Sequence, residues 1–276
     1  MSSSIVFAGI APHPPLLVPE VGGDRIKQVA ASRRALQEFS RRLIETEPET
    51  VLVISPHSPL DPRVFTARAT GQLRGDFREF YAPGVALTFE NDLELLDAIK
   101  RAATDEGVEL RDLARDHPLD HGAMVPLYYL HEAGWTGPIV VLGFTNQPVE
   151  KHLSFGRAIN EAAQSINRRV AVVASGDLSH RLIVDGPYEF EPTAHLFDEQ
   201  IVEAIRRGDS SAVTGIDPDL RNRAGECGYR SIVVALGSVG ENPSQHQVLS
   251  YEGPFGVGYM VAVLAERNKE AITDQQ

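Results

Sequence analysis

The amino-acid sequence predicts a single α/β domain with a central, mostly parallel or mixed β-sheet flanked by helices on both faces. Short apolar runs rich in β-branched residues, such as residues 51–54, are typical of strands buried on both faces. These runs alternate with longer segments of helical periodicity, which is the pattern of βα units. The 276 residues contain no internal repeat and no low-complexity linker, so we expect one domain rather than two.

The predicted elements follow from periodicity, capping residues and breakers. Strands are predicted at residues 4–10, 51–55, 64–70, 138–143, 170–175, 247–251 and 259–264. Helices are predicted at residues 24–45, 91–106, 122–130, 149–166, 192–207 and 229–236. Asp24 and Asn91 are the candidate caps of the first two helices, because short polar side chains there can accept backbone N–H groups. We expect the catalytic domain to occupy residues 1–266 and residues 267–276 to form a disordered tail.

Composition excludes several classes of protein. The formal net charge of -12 argues against a nucleic-acid partner, because phosphate binding needs clustered lysine and arginine. Cys227 is the only cysteine, which rules out an internal disulfide and a cysteine-rich zinc site. No apolar run is long enough to span a membrane, and the first residues do not resemble a signal peptide, so a cytoplasmic protein is expected.

Three predicted strands each end in a histidine. His13 follows the first strand within Pro12-His13-Pro14-Pro15, His57 follows the second within Ser55-Pro56-His57, and His180 closes Ser175-Gly-Asp-Leu-Ser-His180. One such histidine would most often be an ordinary loop residue. If the three strands belong to one parallel sheet, however, their carboxyl ends share one edge, where ligands of α/β proteins bind. The pattern therefore favours a metal or acid-base site.

Two further stretches supply chemistry at helix starts. Asp120 can orient His121 or cap the helix that Gly122 opens, and the positive helix end keeps His121 neutral. Glu226 and Cys227 stand side by side before the apolar helix at residues 229–236. Two histidines and one carboxylate make the facial triad of a non-haem Fe(II) site, with positions left for a bidentate substrate and dioxygen.

The ordered set of motifs resembles the class III extradiol dioxygenase superfamily, the family of the protocatechuate 4,5-dioxygenase β subunit. The motifs are Pro12-His13-Pro14-Pro15, Ser55-Pro56-His57, Leu119-Asp-His-Gly122 with Val125-Pro-Leu127, and Ser175-Gly-Asp-Leu-Ser-His180. The closing Tyr251-Glu-Gly-Pro-Phe-Gly256 resembles the Memo-like branch in particular. Together these motifs span nearly the whole chain.

The resemblance implies an Fe(II)-dependent enzyme that opens a catechol-like or aminophenol-like ring with O2. It assigns His13 and His57 to the metal, and His180 and His121 to acid-base catalysis. The third ligand is predicted to be Glu226, with Cys227 as the alternative found in Memo-like members. A small aromatic substrate is expected to contact the rim side chains Asp177 and Ser179 and the aromatic residue Tyr129. A homodimer is also expected.

Two other functional hypotheses use the same residues. With Cys227 as ligand, the protein would be a Memo-like metal-binding protein with a non-dioxygenase or interaction role, and Zn, Cu or Mn could replace Fe(II). Alternatively, a zinc-dependent hydrolase would use zinc-bound water as its nucleophile.

Overall fold

The computed structural model describes residues 4–113, 117–240 and 246–267. Its ten strands are β1 Ile5–Ala11, β2 Thr50–Ser55, β3 Phe65–Ala67, β4 Gln72–Phe77, β5 Ala82–Glu90, β6 Leu110–Asp112, β7 Ile139–Gly143, β8 Val170–Ser175, β9 Gln247–Glu252 and β10 Tyr259–Glu266. Its α-helices are α1 Pro19–Gly22, α2 Ala30–Glu45, α3 Leu93–Asp105, α4 His121–Glu132, α5 Val149–Ser165, α6 Ala194–Arg207, α7 Ser210–Thr214, α8 Pro218–Ala224 and α9 Tyr229–Val239.

Eight of these strands form one mixed sheet in the order β6-β3-β7-β2-β8-β1-β10-β9. The central strands β7, β2, β8 and β1 are parallel, whereas β10 pairs antiparallel with both β1 and β9. β3 pairs antiparallel with β7 and parallel with β6. The predicted α/β domain with a mixed sheet is therefore confirmed. The strands that precede the three histidines are neighbours in the order β2-β8-β1.

Two hydrophobic cores cover the two faces of the sheet. Leu52 and Ile54 of β2 point to one core, which contains apolar residues of α3, α5, α6 and α9. Val51 and Val53 point to the other, which contains residues of α2, α4 and the β4-β5 hairpin. Successive side chains of a strand point to opposite faces, so an unbroken apolar run is what a doubly covered sheet needs.

Two predicted helix starts differ from the structure. α2 begins at Ala30 rather than Asp24, because Gly23–Val29 winds as a 3-10 helix. The cap of α3 is Asp92, whose carboxylate accepts Leu95 N–H at 3.0 Å, while the amide of Asn91 bonds the carbonyls of Arg68 and Thr70. Residues 268–276 of the predicted tail lie outside the described residues, and Arg267 N–H bonds the Val6 carbonyl at 2.9 Å.

The β4-β5 hairpin was not predicted as a pair of strands. It forms a separate two-stranded sheet that packs on α4 and on the loop before it, where Leu119 N–H donates to the Arg74 carbonyl at 2.7 Å. Pro83-Gly84 interrupts the alternation of β5, so the sequence signal of a strand is weak there. The hairpin matters because it forms one wall of the cavity described below.

His152 of α5 makes stability depend on pH. The side chain is 1% exposed, and burial lowers the pKa of His152 from 6.5 to about 4, against the opposing effect of two backbone carbonyls. Between these two values the unfolded chain binds a proton that the folded chain does not. The stability that the neutral His152 contributes is therefore fully present above pH 6.5 and is lost as the pH falls toward 4.

We expect this single group to remove about 2 kcal/mol of unfolding free energy between pH 7 and pH 5. Urea unfolding of the wild type and of His152→Gln at both pH values measures it. The variant should lose less stability on acidification than the wild type by that amount. Equal losses in the two proteins would show that His152 is not the group responsible.

Candidate metal centre

His13 and His57 meet at the carboxyl edge of the central strands. His13 follows β1 and is 2% exposed, and His57 follows β2 and is solvent-exposed at the rim. Their Nε2 atoms are 3.0 Å apart. Metal-nitrogen bonds are about 2.0–2.1 Å long, so this separation suits two ligands of one cation.

The hydrogen bonds of His13 define which of its nitrogens is free. The hydroxyl of Ser175 donates to the Gly122 carbonyl, so its oxygen accepts from Nδ1 of His13 at 2.9 Å. Nε2 of His13 therefore carries the lone pair, and it faces Nε2 of His57 and the thiol of Cys227. A metal-binding histidine commonly has its other nitrogen held in this way. A lone pair facing a second imidazole nitrogen fits a bound cation.

His121 completes one group of candidate ligands. Its ligand atom and those of His13 and His57 all lie within 4.8 Å of one another. The ring centroids of His57 and His121 are 4.1 Å apart. His121 is the first residue of α4, and Asp120 caps that helix by accepting Ala123 N–H at 3.1 Å. The predicted capping role of Asp120 is confirmed, and its carboxylate also accepts from Ser55, Ser58 and Arg68.

Asp177 and Cys227 form a second group with His13, again with all ligand atoms within 4.8 Å. Sγ of Cys227 lies 3.6 Å from Nε2 of His13, and it accepts Asp177 N–H at 3.3 Å. Oδ1 of Asp177 accepts His13 N–H at 3.0 Å, and its Oδ2 lies 3.8 Å from Nε2 of His13. His13 is therefore shared by both groups.

Glu226 is not brought to these histidines. Its carboxylate accepts the N–H of Tyr229 at 2.7 Å, which caps the start of α9. Cys227, the next residue, points the other way, toward His13. Among the described residues, no group of candidate ligands includes Glu226.

Tyr129 and Ser179 also make structural contacts. Tyr129 is 4% exposed, its hydroxyl donates to the Leu17 carbonyl at 2.6 Å, and it borders a different cavity, between α2 and α4. Ser179 is fully buried and its hydroxyl donates to the Ala224 carbonyl at 3.1 Å. The structure thus assembles His13, His57, His121, Asp177 and Cys227, and leaves Tyr129, Ser179 and Glu226 outside the cluster.

His180 lies at the end of the loop that follows β8. Its ring stacks on Tyr188, with centroids 5.0 Å apart, and within the described part of the chain its buried Nε2 has no hydrogen-bond partner. Burial, assisted by the nearby charge of His57, lowers the pKa of His180 to about 4. His180 is therefore neutral at pH 7.

Burial governs the charge of the remaining groups. It lowers the pKa of His13 far below its usual range and, with the charge of His57, lowers the pKa of His121 to about 4. The same effect raises the pKa of Asp177 to about 7 and holds the pKa of the Cys227 thiol well above its usual range. Neutral imidazole is the form of histidine that binds a cation, whereas the thiol of Cys227 would have to lose its proton to do so.

A cavity of about 590 Å³ adjoins His57 and His121. Phe80, Leu87 and Leu119 give it apolar walls, and the Phe80 ring meets the His121 ring edge-on with centroids 5.4 Å apart. This volume falls in the range of small-molecule pockets. Phe80 lies between β4 and β5, and only the folded hairpin places it beside a histidine.

Comparison with known proteins shows the family. Residues 8–262 match the model of the catalytic LigB subunit of aromatic ring-opening dioxygenases, so the chain belongs to the LigB family. The predicted resemblance to class III extradiol dioxygenases is thereby confirmed at the level of the family.

Individual proteins similar to this chain are between 16% and 32% identical to it. Protein CA_C1420 of Clostridium acetobutylicum is 32% identical over 92% of this chain, which spans 56% of that protein's length. The 3,4-dihydroxyphenylacetate 2,3-dioxygenase of Escherichia coli is 24% identical over 74% of this chain and 78% of its own. A crystal structure of the uncharacterized protein JW3007 from E. coli K12 matches with a TM-score of 0.62 at 16% identity, covering 94% of this chain and 98% of that one, and shows the shared fold.

A membrane-spanning helix was not expected from the sequence. Among the helices that the structure describes, none is both long and apolar enough to cross a bilayer.

Proposed function

We propose that the protein is an Fe(II)-dependent extradiol dioxygenase that opens a catechol-like or aminophenol-like ring with O2. The observation that carries the proposal is the meeting of His13 Nε2 and His57 Nε2 at 3.0 Å beside a cavity of about 590 Å³. Membership of the LigB family supports it, as does the similarity to a relative named for dihydroxyphenylacetate. A homodimer remains a prediction.

Residues of the chain would bind the aromatic ring and take a proton from one of its hydroxyl groups. The apolar walls around Phe80 and Leu119 suit an aromatic face, with the hydroxylated edge turned toward His57 and His121. His121 lines the cavity and would accept a proton from a ring hydroxyl and return it later. His180, whose buried Nε2 has no hydrogen-bond partner among the described residues, would serve as a second acid-base group. Fe(II), when bound by His13 and His57, would supply the positions that hold the two ring oxygens and dioxygen.

Turnover of catechols tests the proposal directly. Protein loaded anaerobically with Fe(II) should, on admission of air, convert at least one member of a panel of catechols and aminophenols into a yellow ring-opened product. The same protein loaded with Zn(II), which has no redox chemistry, is the matched control and should remain colourless. Colourless reactions from every substrate at full Fe(II) occupancy would contradict the proposal.

A specific contact favours a second candidate, a Memo-like metal-binding protein that is not a dioxygenase. Cys227 rather than Glu226 approaches His13, and a thiolate ligand favours softer metals such as copper or zinc. Metal analysis of protein purified without chelator distinguishes the two. Copper or zinc at one equivalent, together with failure of the Fe(II) assay, would support the second candidate.

A further inference from the structure

A second, smaller cavity lies between the first turns of α5 and α9. Its volume is about 200 Å³, and it shares no lining residue with the cavity beside the histidines. Its walls include two arginines, Arg221 from α8 and Arg230 from α9, together with His152 and Tyr229. The function proposed above uses none of these side chains.

Aromatic rings hold both arginines. The Cζ atom of Arg221 lies 4.1 Å from the centroid of the Tyr229 ring, and that of Arg230 lies 5.8 Å from the centroid of the Phe144 ring. A guanidinium placed over a ring keeps the N–H donors at its edge available, because the ring contacts only its face. Both guanidinium groups are thus held at the same cavity, and their N–H groups remain available to a ligand.

The hydrogen-bonding of these arginines is incomplete. Among the described residues, no ion pair within 4.0 Å involves Arg221 or Arg230. Nε of Arg221 is buried and has no acceptor in the part of the chain that the structure describes. A buried donor without a partner is uncommon in native proteins, and an unseen ion or ligand is one of its usual causes.

The titratable groups around the cavity do not neutralise the two arginines. Glu226 forms no ion pair within 4.0 Å with either arginine among the described residues, and its carboxylate accepts Tyr229 N–H at 2.7 Å. Glu150 of α5 is exposed to solvent. The two ring nitrogens of His152 lie 3.0 Å and 3.1 Å from the Pro148 and Thr145 carbonyl oxygens, and the neutral ring donates to one of them. Burial lowers the pKa of His152 to about 4, so it adds no charge at pH 7.

The first turn of α5 also borders this cavity, and its N-cap residue Pro148 provides no side-chain hydrogen bond to the helix. Lys151 N–H bonds the Pro148 carbonyl at 3.0 Å, so the N–H groups of Val149 and Glu150 are the ones in this turn that can add donors to those of the arginines.

We propose that this cavity binds a phosphate-type oxyanion, either free or as the phosphoryl group of a small metabolite. Two guanidinium groups from different helices can each engage a pair of oxygens, which suits a tetrahedral anion better than a planar carboxylate. A volume of about 200 Å³ accommodates a phosphoryl group with a few further atoms. The proposal is independent of ring-opening activity.

Isothermal titration with inorganic phosphate, and separately with glycerol 3-phosphate, tests the site. The wild type should bind at one site, and Arg221→Gln and Arg230→Gln should each weaken binding about tenfold or more through loss of charge-assisted hydrogen bonds. Arg223→Gln is the matched control, since Arg223 lies on the same helix but is exposed and bonds Thr193 at 3.2 Å. It should bind as the wild type does.

The two probes distinguish the possible ligands. Tighter binding of glycerol 3-phosphate identifies a phosphoryl metabolite as the ligand class, and tighter binding of inorganic phosphate identifies the free ion. Thermal unfolding without ligand verifies that each variant folds, and Arg230→Lys, which keeps the charge without the fork, should bind with intermediate affinity. No saturable binding of either probe by the wild type, or unchanged binding by the glutamine variants, would overturn the proposal. Neither result bears on the catechol assay.

Discussion

Replacing His13 with alanine should abolish both metal binding and ring opening. His13 is the one residue shared by the two groups of candidate ligands, and its Nε2 faces both His57 and Cys227. Losing an outer partner of a metal ligand already costs about 10- to 100-fold in affinity or activity. Loss of the ligand itself should therefore exceed about 100-fold in both quantities.

Elemental analysis after anaerobic loading and dialysis, followed by the catechol assay, measures this effect. His195→Ala is the matched control, because His195 is an exposed histidine on α6 away from the cluster. Circular dichroism should show that the His13 variant keeps its fold. A folded His13→Ala protein that retains one equivalent of metal would show that the cation lies elsewhere.

Cys227→Ala should lose metal while Glu226→Gln retains it. This result is expected because Sγ of Cys227 lies 3.6 Å from His13 Nε2, whereas Glu226 bonds the backbone at the start of α9. Burial holds the pKa of the Cys227 thiol well above its usual range, so metal must displace a proton to form the thiolate. Affinity in the wild type should accordingly rise with pH, and this dependence should weaken in Cys227→Ala.

Glu226→Gln should instead lower the free energy of unfolding. Its partly buried carboxylate accepts Tyr229 N–H in a charge-assisted hydrogen bond. The amide oxygen of glutamine would make a weaker, neutral bond there, so the expected loss is about 1 kcal/mol. Urea unfolding together with metal analysis of both variants provides the measurement. If Glu226→Gln loses metal and Cys227→Ala keeps it, the carboxylate is the ligand, as the sequence first suggested.

The sequence was sufficient to place the central strands β1, β2, β7 and β8 and the histidines that follow three of them. Buried strands carry a strong local signal, and parallel neighbours necessarily bring their carboxyl ends to one edge. The convergence of His13 and His57 therefore followed once β1, β2 and β8 were recognised. The Asp120 cap followed from an equally local pattern.

The third ligand could not be predicted in the same way. Glu226 and Cys227 are adjacent residues in a turn, and which one points inward depends on backbone geometry that sequence does not specify. The position of Tyr129 on α4 was equally undetermined, since the rotation of that helix decides which side chains reach the cavity. The β4-β5 hairpin was missed because Pro83-Gly84 breaks its alternation.

Gly176 and Gly228 lie in direct backbone contact, where β8 leaves the sheet and α9 is about to begin. A Cβ atom on Gly176 would lie 2.1 Å from the Cα of Gly228. The loop bearing Asp177 and the turn bearing Cys227 are thus seated against each other without any intervening side chain. Any side chain at Gly176 would push the two segments apart and so change the spacing between Asp177 and Cys227, the two side chains that approach His13 from this side.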